Sequence, residues 1–99
     1  MPAKVSDDFH LEYFAHLQDI GDTGYVSQGN FVGTRGQSRR LEGFAIRVAG
    51  KDAHKYDVFY SAHLQDDGDT AEFKNDEFCG TRGLTKRVEA IFVRLVKRD

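Results

Sequence analysis

Two sets of polar side chains recur in this chain with the same internal spacing, 47 positions apart. Each set contains a histidine, a glutamine and an aspartate, and the members are His16, Gln18, Asp22, His63, Gln65 and Asp69. Imidazole, amide and carboxylate groups make directed hydrogen bonds of the kind that bind sugar hydroxyls. The pattern predicts one polar binding site per copy. The alternative is structural: the histidine braces the turn that follows, and the aspartate hydrogen-bonds its own backbone there.

A glutamate follows each set, two positions after an arginine, and these residues are Arg40, Glu42, Arg87 and Glu89. Strict alternation along the chain would place Glu42 on the same strand face as Phe44 and Ile46. A carboxylate on an apolar face is costly unless it is paired and hydrogen-bonded. We therefore expect either a structural ion pair that ties the strand to the preceding loop, or a carboxylate that accepts hydrogen bonds from ligand hydroxyls.

The sequence Gly-Thr-Arg-Gly precedes each glutamate, at residues 33–36 and 80–83. Glycines at this spacing are typical of a tight turn that needs positive φ. Backbone N–H groups in such a turn could bind an anion, although the Lys-Ser/Thr of a P-loop is missing. Arg35 and Arg82 are expected to project from the loop and to donate bidentate hydrogen bonds to a sugar, a carboxylate or a partner.

Other chemistry has weaker support. Tyr25 follows the first Asp-rich turn, where it would either stack on a sugar or pack in the core. The carboxylates near Asp19 and Asp66 match no EF-hand spacing and are too few for calcium, so we expect neither metal nor cofactor. The single cysteine, Cys79, excludes an intrachain disulfide and is expected to be a buried small hydrophobe. Histidines without a nearby nucleophile, and carboxylates without a deep cleft, predict that the protein is not an enzyme.

These side chains must be positioned by β-strands. Apolar and polar residues alternate over 9–18, 40–48, 56–65 and 87–95, and a period of two is typical of half-buried strands. We predict an all-β protein of two homologous repeats, 8–50 and 55–97, built from short antiparallel strands. Because 47 residues can hardly bury a self-sufficient core, the repeats should form one compact domain. We expect pseudo-twofold packing, or assembly into a prism-like or barrel-like oligomer.

The charge balance narrows the classes of partner. There are 14 basic and 16 acidic side chains, for a net charge of −2, which argues against general attraction to nucleic acid or acidic membranes. Residues 1–8 contain no apolar segment of the kind found in signal peptides, and no segment is apolar enough to span a bilayer. We expect no membrane insertion, and either a cytoplasmic protein or a piece of a secreted one.

The order of the motifs resembles the clostridial hydrophobic-W repeat. The resemblance is carried by His-Leu-Gln-Asp at 16–19 and 63–66, by Gly-Thr-x-Gly at 33–36 and 80–83, and by the Leu-Glu or Val-Glu pair that opens the last strand. It covers nearly the whole chain twice, and it implies a non-enzymatic surface module that binds carbohydrate or protein. The family takes its name from a Gly-Trp pair, and Asp22 and Asp69 stand at the tryptophan positions. The replaced ring is either a platform for ligand or a core residue.

The sequence thus predicts a carbohydrate-binding module with one site per repeat, which would bind clustered glycans bivalently. The alternative is a protein–protein adhesion or assembly module with no sugar ligand, including a homo-oligomer. The predicted ligand-binding residues are His16, Gln18, Asp22, Tyr25, Arg35, Arg40, Glu42, His63, Gln65, Asp69, Arg82, Arg87 and Glu89.

Overall fold

The computed structural model describes residues 8–36 and 39–98, and nearly all of its regular structure is β-strand. The first repeat contains β1 (His10–Leu17), β2 (Gly21–Asp22), β3 (Val26–Ser27) and β4 (Leu41–Ala49). The second contains β5 (Tyr56–Leu64), β6 (Gly68–Asp69), β7 (Phe73–Lys74), β8 (Cys79–Gly80) and β9 (Val88–Lys97). One turn of 3-10 helix, Ala53–Lys55, precedes β5. The predicted all-β fold of two repeats is confirmed.

Each repeat builds a sheet on one long antiparallel pair, β1 with β4 and β5 with β9. The short strands β2 and β3 pair with the other edge of β1, and β6 and β7 do the same on β5. The long strands are rich in aromatic and β-branched residues, which fit a pleated, half-buried surface. The two sheets share the same internal plan because the two repeats share a sequence.

A tight reversal follows the first long strand of each repeat. Asp19 and Asp66 adopt positive φ values of 63° and 69°, a conformation that aspartate tolerates better than most residues. In the first repeat this reversal sets Asp22 opposite His16 in the β1–β2 register. The turn therefore delivers the predicted polar pair to the same place on the sheet edge.

The core lies between the two sheets and draws on both repeats. Its buried members are Phe44, Ile46, Val58, Tyr60, Ala62, Leu64 and Cys79. Cys79 has no exposed surface, as expected from its apolar neighbours, and burial raises the pKa of its thiol. A single shared core explains how two short repeats can form one folded unit.

Of the two equivalent strand contacts that the repeats could make with each other, the described residues make one. β8 of the second repeat pairs with β4 of the first, with Gly80 opposite Gly43 and Cys79 opposite Phe44. The corresponding residues of the first repeat, Val32 and Gly33, belong to no strand in the described part of the chain. The sheets therefore have five and four strands, and neither is closed into a barrel. A strict pseudo-twofold pair would make both contacts, whereas the described residues make the β8–β4 contact alone.

Candidate functional site

The first repeat brings its predicted histidine, aspartate and glutamate together. His16 Nδ1 lies 2.7 Å from Asp22 Oδ1, across the β1–β2 pair that the turn creates. The other ring nitrogen, Nε2, lies 3.5 Å from Glu42 Oε1. The imidazole thus stands between two carboxylates, one from β2 and one from β4. The contact with Asp22 is the one expected if the histidine braces the turn.

A β-bulge decides where Glu42 lies. The register passes from His16 opposite Gly43 to Leu17 opposite Leu41, which leaves Glu42 as the extra residue. A bulge turns side chains away from strict alternation, so the Glu42 carboxylate contacts His16 instead of joining Phe44 in the apolar layer. The second repeat has the same irregularity, between His63 and Leu64. The face assigned to these glutamates by simple alternation was therefore wrong.

Residues 78–83 of the second repeat close over the cluster of the first. We call these residues, and their counterparts 31–36, the donor loops. Gly83 N donates to Glu42 Oε1 at 3.2 Å, and Thr81 N donates to the Glu42 backbone oxygen at 2.9 Å. Arg82 donates to both carboxylate oxygens of Asp22, at 3.2 and 2.9 Å. These bonds hold the pKa of Asp22 below its ordinary value, first through Arg82 and secondarily through His16.

The strand and the cluster that receive a donor loop form an acceptor. The acceptor of the first repeat is β4 with His16, Asp22 and Glu42, and that of the second is β9 with His63, Asp69 and Glu89. In the second acceptor His63 Nδ1 lies 2.8 Å from Asp69 Oδ1, and Nε2 lies 4.0 Å from Glu89 Oε1. The same polar cluster therefore forms without any loop over it.

The second acceptor is open. The Glu89 side chain is 39% exposed, against 3% for Glu42, and the Asp69 side chain is 86% exposed, against 43% for Asp22. Within the described residues, no strand pairs with the free edge of β9. The difference between the two clusters thus follows from the presence or absence of a docked donor loop.

The arginines beside the two glutamates also differ. Arg87 Nε lies 3.3 Å from Glu89 Oε2, so the predicted ion pair forms in the second repeat. In the first repeat Arg40 instead donates to the backbone oxygen of Thr85 at 3.0 Å. Where residues 78–83 are docked, Glu42 therefore accepts a hydrogen bond from Gly83 N, and Arg40 contacts the second repeat.

The backbone N–H group of each predicted glutamine belongs to a β-ladder. Gln18 N donates to the Arg40 backbone oxygen at 2.9 Å, and Gln65 N donates to the Arg87 backbone oxygen at 2.9 Å. These bonds extend the β1–β4 and β5–β9 ladders past the bulge. The Gln18 side chain also lines a small groove with His16 and Glu42. The glutamines therefore lie next to the clusters.

Two further predicted residues lie away from the first cluster. The Tyr25 ring packs edge-on against Phe14, with centroids 5.1 Å apart, and the Arg47 guanidinium lies 3.6 Å from its centroid. Arg35 lies over the Phe31 ring at 4.0 Å and has no carboxylate partner among residues 8–36 and 39–98. The Tyr25 ring is thus packed against its neighbours, while the Arg35 guanidinium has no carboxylate partner in the described part of the chain.

The packing under the docked loop could not be predicted from the sequence. A Cβ on Gly43 would lie 2.3 Å from Phe78 Cζ, and a Cβ on Gly80 would lie 2.5 Å from the Glu42 backbone oxygen. Both glycines are therefore needed for the close approach of β8 to β4. The only available signal was that Gly43 is replaced by Ala90 in the second repeat, where no loop is docked.

Among the described residues no group of three or more histidine, cysteine or acidic side chains is placed to hold a metal ion. Within the same residues no helix has the length and apolar character needed to cross a bilayer.

Comparison with known protein families identifies the repeats. The family model described as Clostridial hydrophobic W matches residues 16–50 and again 63–97. These matches cover more than half of the chain, so the protein belongs to this family and carries a tandem pair of its repeats. No curated protein and no solved structure matches the chain.

Proposed function

We propose that this chain is a non-enzymatic assembly module whose hydrophobic-W repeats join proteins by strand addition. The observation that carries the proposal is the contact between the two repeats: residues 78–83 pair with β4 and close over Glu42. The second repeat offers the same acceptor with its edge free. An extended segment of a partner protein would add to β9 as β8 adds to β4, with backbone hydrogen bonds supplying affinity.

The charges of the open acceptor define the segment that fits it. Asp69 and Glu89 are two carboxylates beside one exposed strand edge. In the filled acceptor the corresponding groups take an arginine and a backbone N–H. A partner segment should therefore carry an arginine two positions after a glycine that allows close backbone approach, as Arg82 follows Gly80.

A synthetic peptide of residues 28–40 tests this proposal, since it contains the donor loop of the first repeat. Added to the full-length chain, the peptide should shift the backbone amide NMR signals of Glu89 to Val93 and the signals of His63. An Arg35→Ala peptide is the matched control and should bind at least about tenfold more weakly, because a bidentate charge-assisted bond is lost. Unchanged spectra at millimolar peptide would reject strand addition at β9.

Carbohydrate binding is the second candidate, and one observation favours it. His63 and Asp69 border an open groove of about 270 Å³ that also includes Phe92, whose ring is largely exposed. Polar groups beside an exposed ring are a common arrangement for binding a sugar. In the first repeat Asp22, the counterpart of Asp69, is already hydrogen-bonded to Arg82 of the donor loop, and Ala45 stands in place of Phe92, so the sugar hypothesis is strongest for the second repeat.

A glycan-array screen of the purified protein, with and without EDTA, tests the second candidate. A selective signal that is lost in Phe92→Ala and in Asp69→Ala would support a sugar site in this groove. A blank array from folded protein that binds the 28–40 peptide would leave assembly as the function.

A further inference from the structure

We infer that the open acceptor on β9 binds the donor loop of a second copy of this chain. The inference rests on the proposed function and names the partner. Each chain carries one unfilled acceptor, formed by β9 with His63, Asp69 and Glu89, and one unused donor loop, residues 31–36. The contact between the repeats shows what such a pairing looks like when it is made.

The unused donor loop has almost the same sequence as the docked one. Residues 31–36 differ from residues 78–83 only in having Val32 where the second repeat has Cys79. Both positions are small and apolar, as the buried environment of Cys79 requires. Gly33 and Gly36 hold positive φ values of 128° and 70°, close to the 119° and 73° of their counterparts. The backbone of the free loop is therefore already in the shape that docks.

The side chains of the free loop are also in place. Arg35 lies 4.0 Å from the Phe31 ring centroid, and Arg82 lies 3.7 Å from that of Phe78. Phe31 is 55% exposed, and Arg35 pairs with no carboxylate in the described part of the chain. Because the ring and guanidinium are already stacked, little side-chain ordering would be needed on binding.

The acceptor on β9 supplies the complementary groups. By analogy with the docked loop, Arg35 would donate to Asp69, and Gly36 N would donate to the Glu89 carboxylate. Thr34 N would donate to the Glu89 backbone oxygen, and Val32 would lie opposite Ile91. β9 also exposes a run of apolar side chains, Ile91, Phe92, Val93, Leu95 and Val96. Monomeric proteins rarely leave such an edge strand unprotected.

The loop of one copy and the acceptor of the other are different surfaces, so the contact is heterologous unless two copies exchange loops reciprocally, which gives a symmetric dimer. Heterologous contacts produce closed rings if the rotation between copies closes, and open filaments if it does not. Val32 of the free loop and Ile91 of the acceptor line the same groove within one chain, so each copy carries the two surfaces side by side and would retain both until a ring or a reciprocal dimer forms. Self-association should therefore rise continuously with concentration or stop at a dimer or a ring of fixed size.

Ala90 sets the strength of the contact. It stands where Gly43 lies under the Phe78 ring, and a Cβ on Gly43 would be 2.3 Å from that ring. Ser61, in turn, replaces Phe14, which stacks on Phe78 with centroids 6.2 Å apart. The Cβ of Ala90 would also meet the incoming backbone, since a Cβ on Gly43 would lie 2.9 Å from Cys79 O. The incoming loop would therefore stand farther from β9 than β8 stands from β4, while Ser61 leaves space beside Phe31. We expect a weaker contact than the one between the repeats, and Ala90→Gly should tighten it.

Sedimentation velocity of the full-length chain from micromolar to millimolar concentration tests the inference. Wild-type protein should self-associate, and Ala90→Gly should lower the dissociation constant roughly tenfold because overpacking is relieved. Arg35→Ala and Asp69→Ala should each abolish association. Lys51→Ala is the matched control, because Lys51 is an exposed charge paired with Asp8, and it should associate like wild type.

A mixture of the Arg35→Ala and Asp69→Ala variants tests the loop–acceptor contact most specifically. Arg35→Ala retains a working acceptor and Asp69→Ala retains a working donor loop, so an equimolar mixture should form a dimer and nothing larger. A mixture that stays monomeric would overturn the inference, because a working loop would then have failed to bind a working acceptor. Monomeric wild type and Ala90→Gly at millimolar concentration would also overturn it. If the 28–40 peptide still bound β9 in that case, the assembly function would stand with a different protein as partner.

Discussion

At the scale of single residues, Glu42 and Glu89 show how one sequence motif acquires two environments. Each is the extra residue of a β-bulge, and each lies near a histidine that is hydrogen-bonded to an aspartate. Only Glu42 receives a backbone N–H from a donor loop, and only Glu42 is buried. A buried polar group that loses its partner costs more free energy than an exposed one. The two glutamates should therefore differ sharply in their contribution to stability.

Glu42→Ala should lower the free energy of unfolding by about 2 kcal/mol, because Gly83 N loses its acceptor and a buried side chain is removed. Glu89→Ala is the matched control and should change it by less than about 0.5 kcal/mol, as is usual for exposed positions. Urea unfolding of both variants, at a concentration where the chain is monomeric, provides the measurement. Equal losses in the two variants would mean that the docked loop does not depend on Glu42.

At the scale of elements, the contact that matters is β8 on β4. It carries Cys79 into the shared core and places Phe78 over Gly43. The approach leaves no room for a methyl group on Gly43, since Cys79 O would lie 2.9 Å from it as well. Backbone atoms in a sheet cannot move away as a flexible side chain can. The close pairing of β8 with β4 thus depends on Gly43 as well as on Gly80.

Gly43→Ala should displace β8 and expose the thiol that β8 buries. We expect a lower melting temperature and labelling of Cys79 by a thiol reagent at neutral pH, whereas wild-type Cys79 should react only on unfolding. Gly24→Ala is the control, because Gly24 has no positive φ and no neighbour within 4 Å of an added Cβ. Slow labelling in Gly43→Ala, equal to wild type, would show that the sheet absorbs the methyl group.

The elements also show what could be read from the sequence. The long strands were predictable because alternation survives in both copies, and the turns were predictable from Asp and Gly. The bulge at Glu42 was not, because an extra residue in a period-two pattern becomes visible only in the register of the partner strand. The partner of each donor loop was not predictable either. The two loops are nearly identical in sequence, so the sequence of a loop does not show whether it pairs with a strand.

At the scale of the whole molecule, carboxylate–arginine pairs connect distant parts of the chain. Arg82 joins the second repeat to Asp22 of the first. Arg98, near the end of the chain, donates to Asp57 at the start of β5 and fastens the outer end of β9. The Arg98 guanidinium, with help from Asn75, lowers the pKa of Asp57 from 3.8 to about 2. Both aspartates therefore favour the folded chain when they are ionised.

This arrangement fixes the sign of the pH dependence. A carboxyl group with a lowered pKa in the folded state stabilises the fold above its unfolded pKa, and the stabilisation is lost as the pH falls through the folded value. For Asp57 that window runs from about pH 4 down to about pH 2. The melting temperatures of wild type and Asp57→Asn should differ at pH 6 and converge toward pH 2. A difference that stays constant with pH would exclude the pairing with Arg98.

The β8–β4 contact between the repeats also has a consequence for the order in which the protein is made. Glu42 leaves the ribosome 41 residues before Gly83, the residue that covers it. At ordinary rates of translation this interval lasts roughly 2–8 seconds. During that time β4 has no loop of its own chain to pair with, and the loop of a neighbouring nascent chain on the same messenger RNA could take that place. The spacing of ribosomes on the messenger RNA would then affect whether adjacent chains exchange their loops before folding is complete.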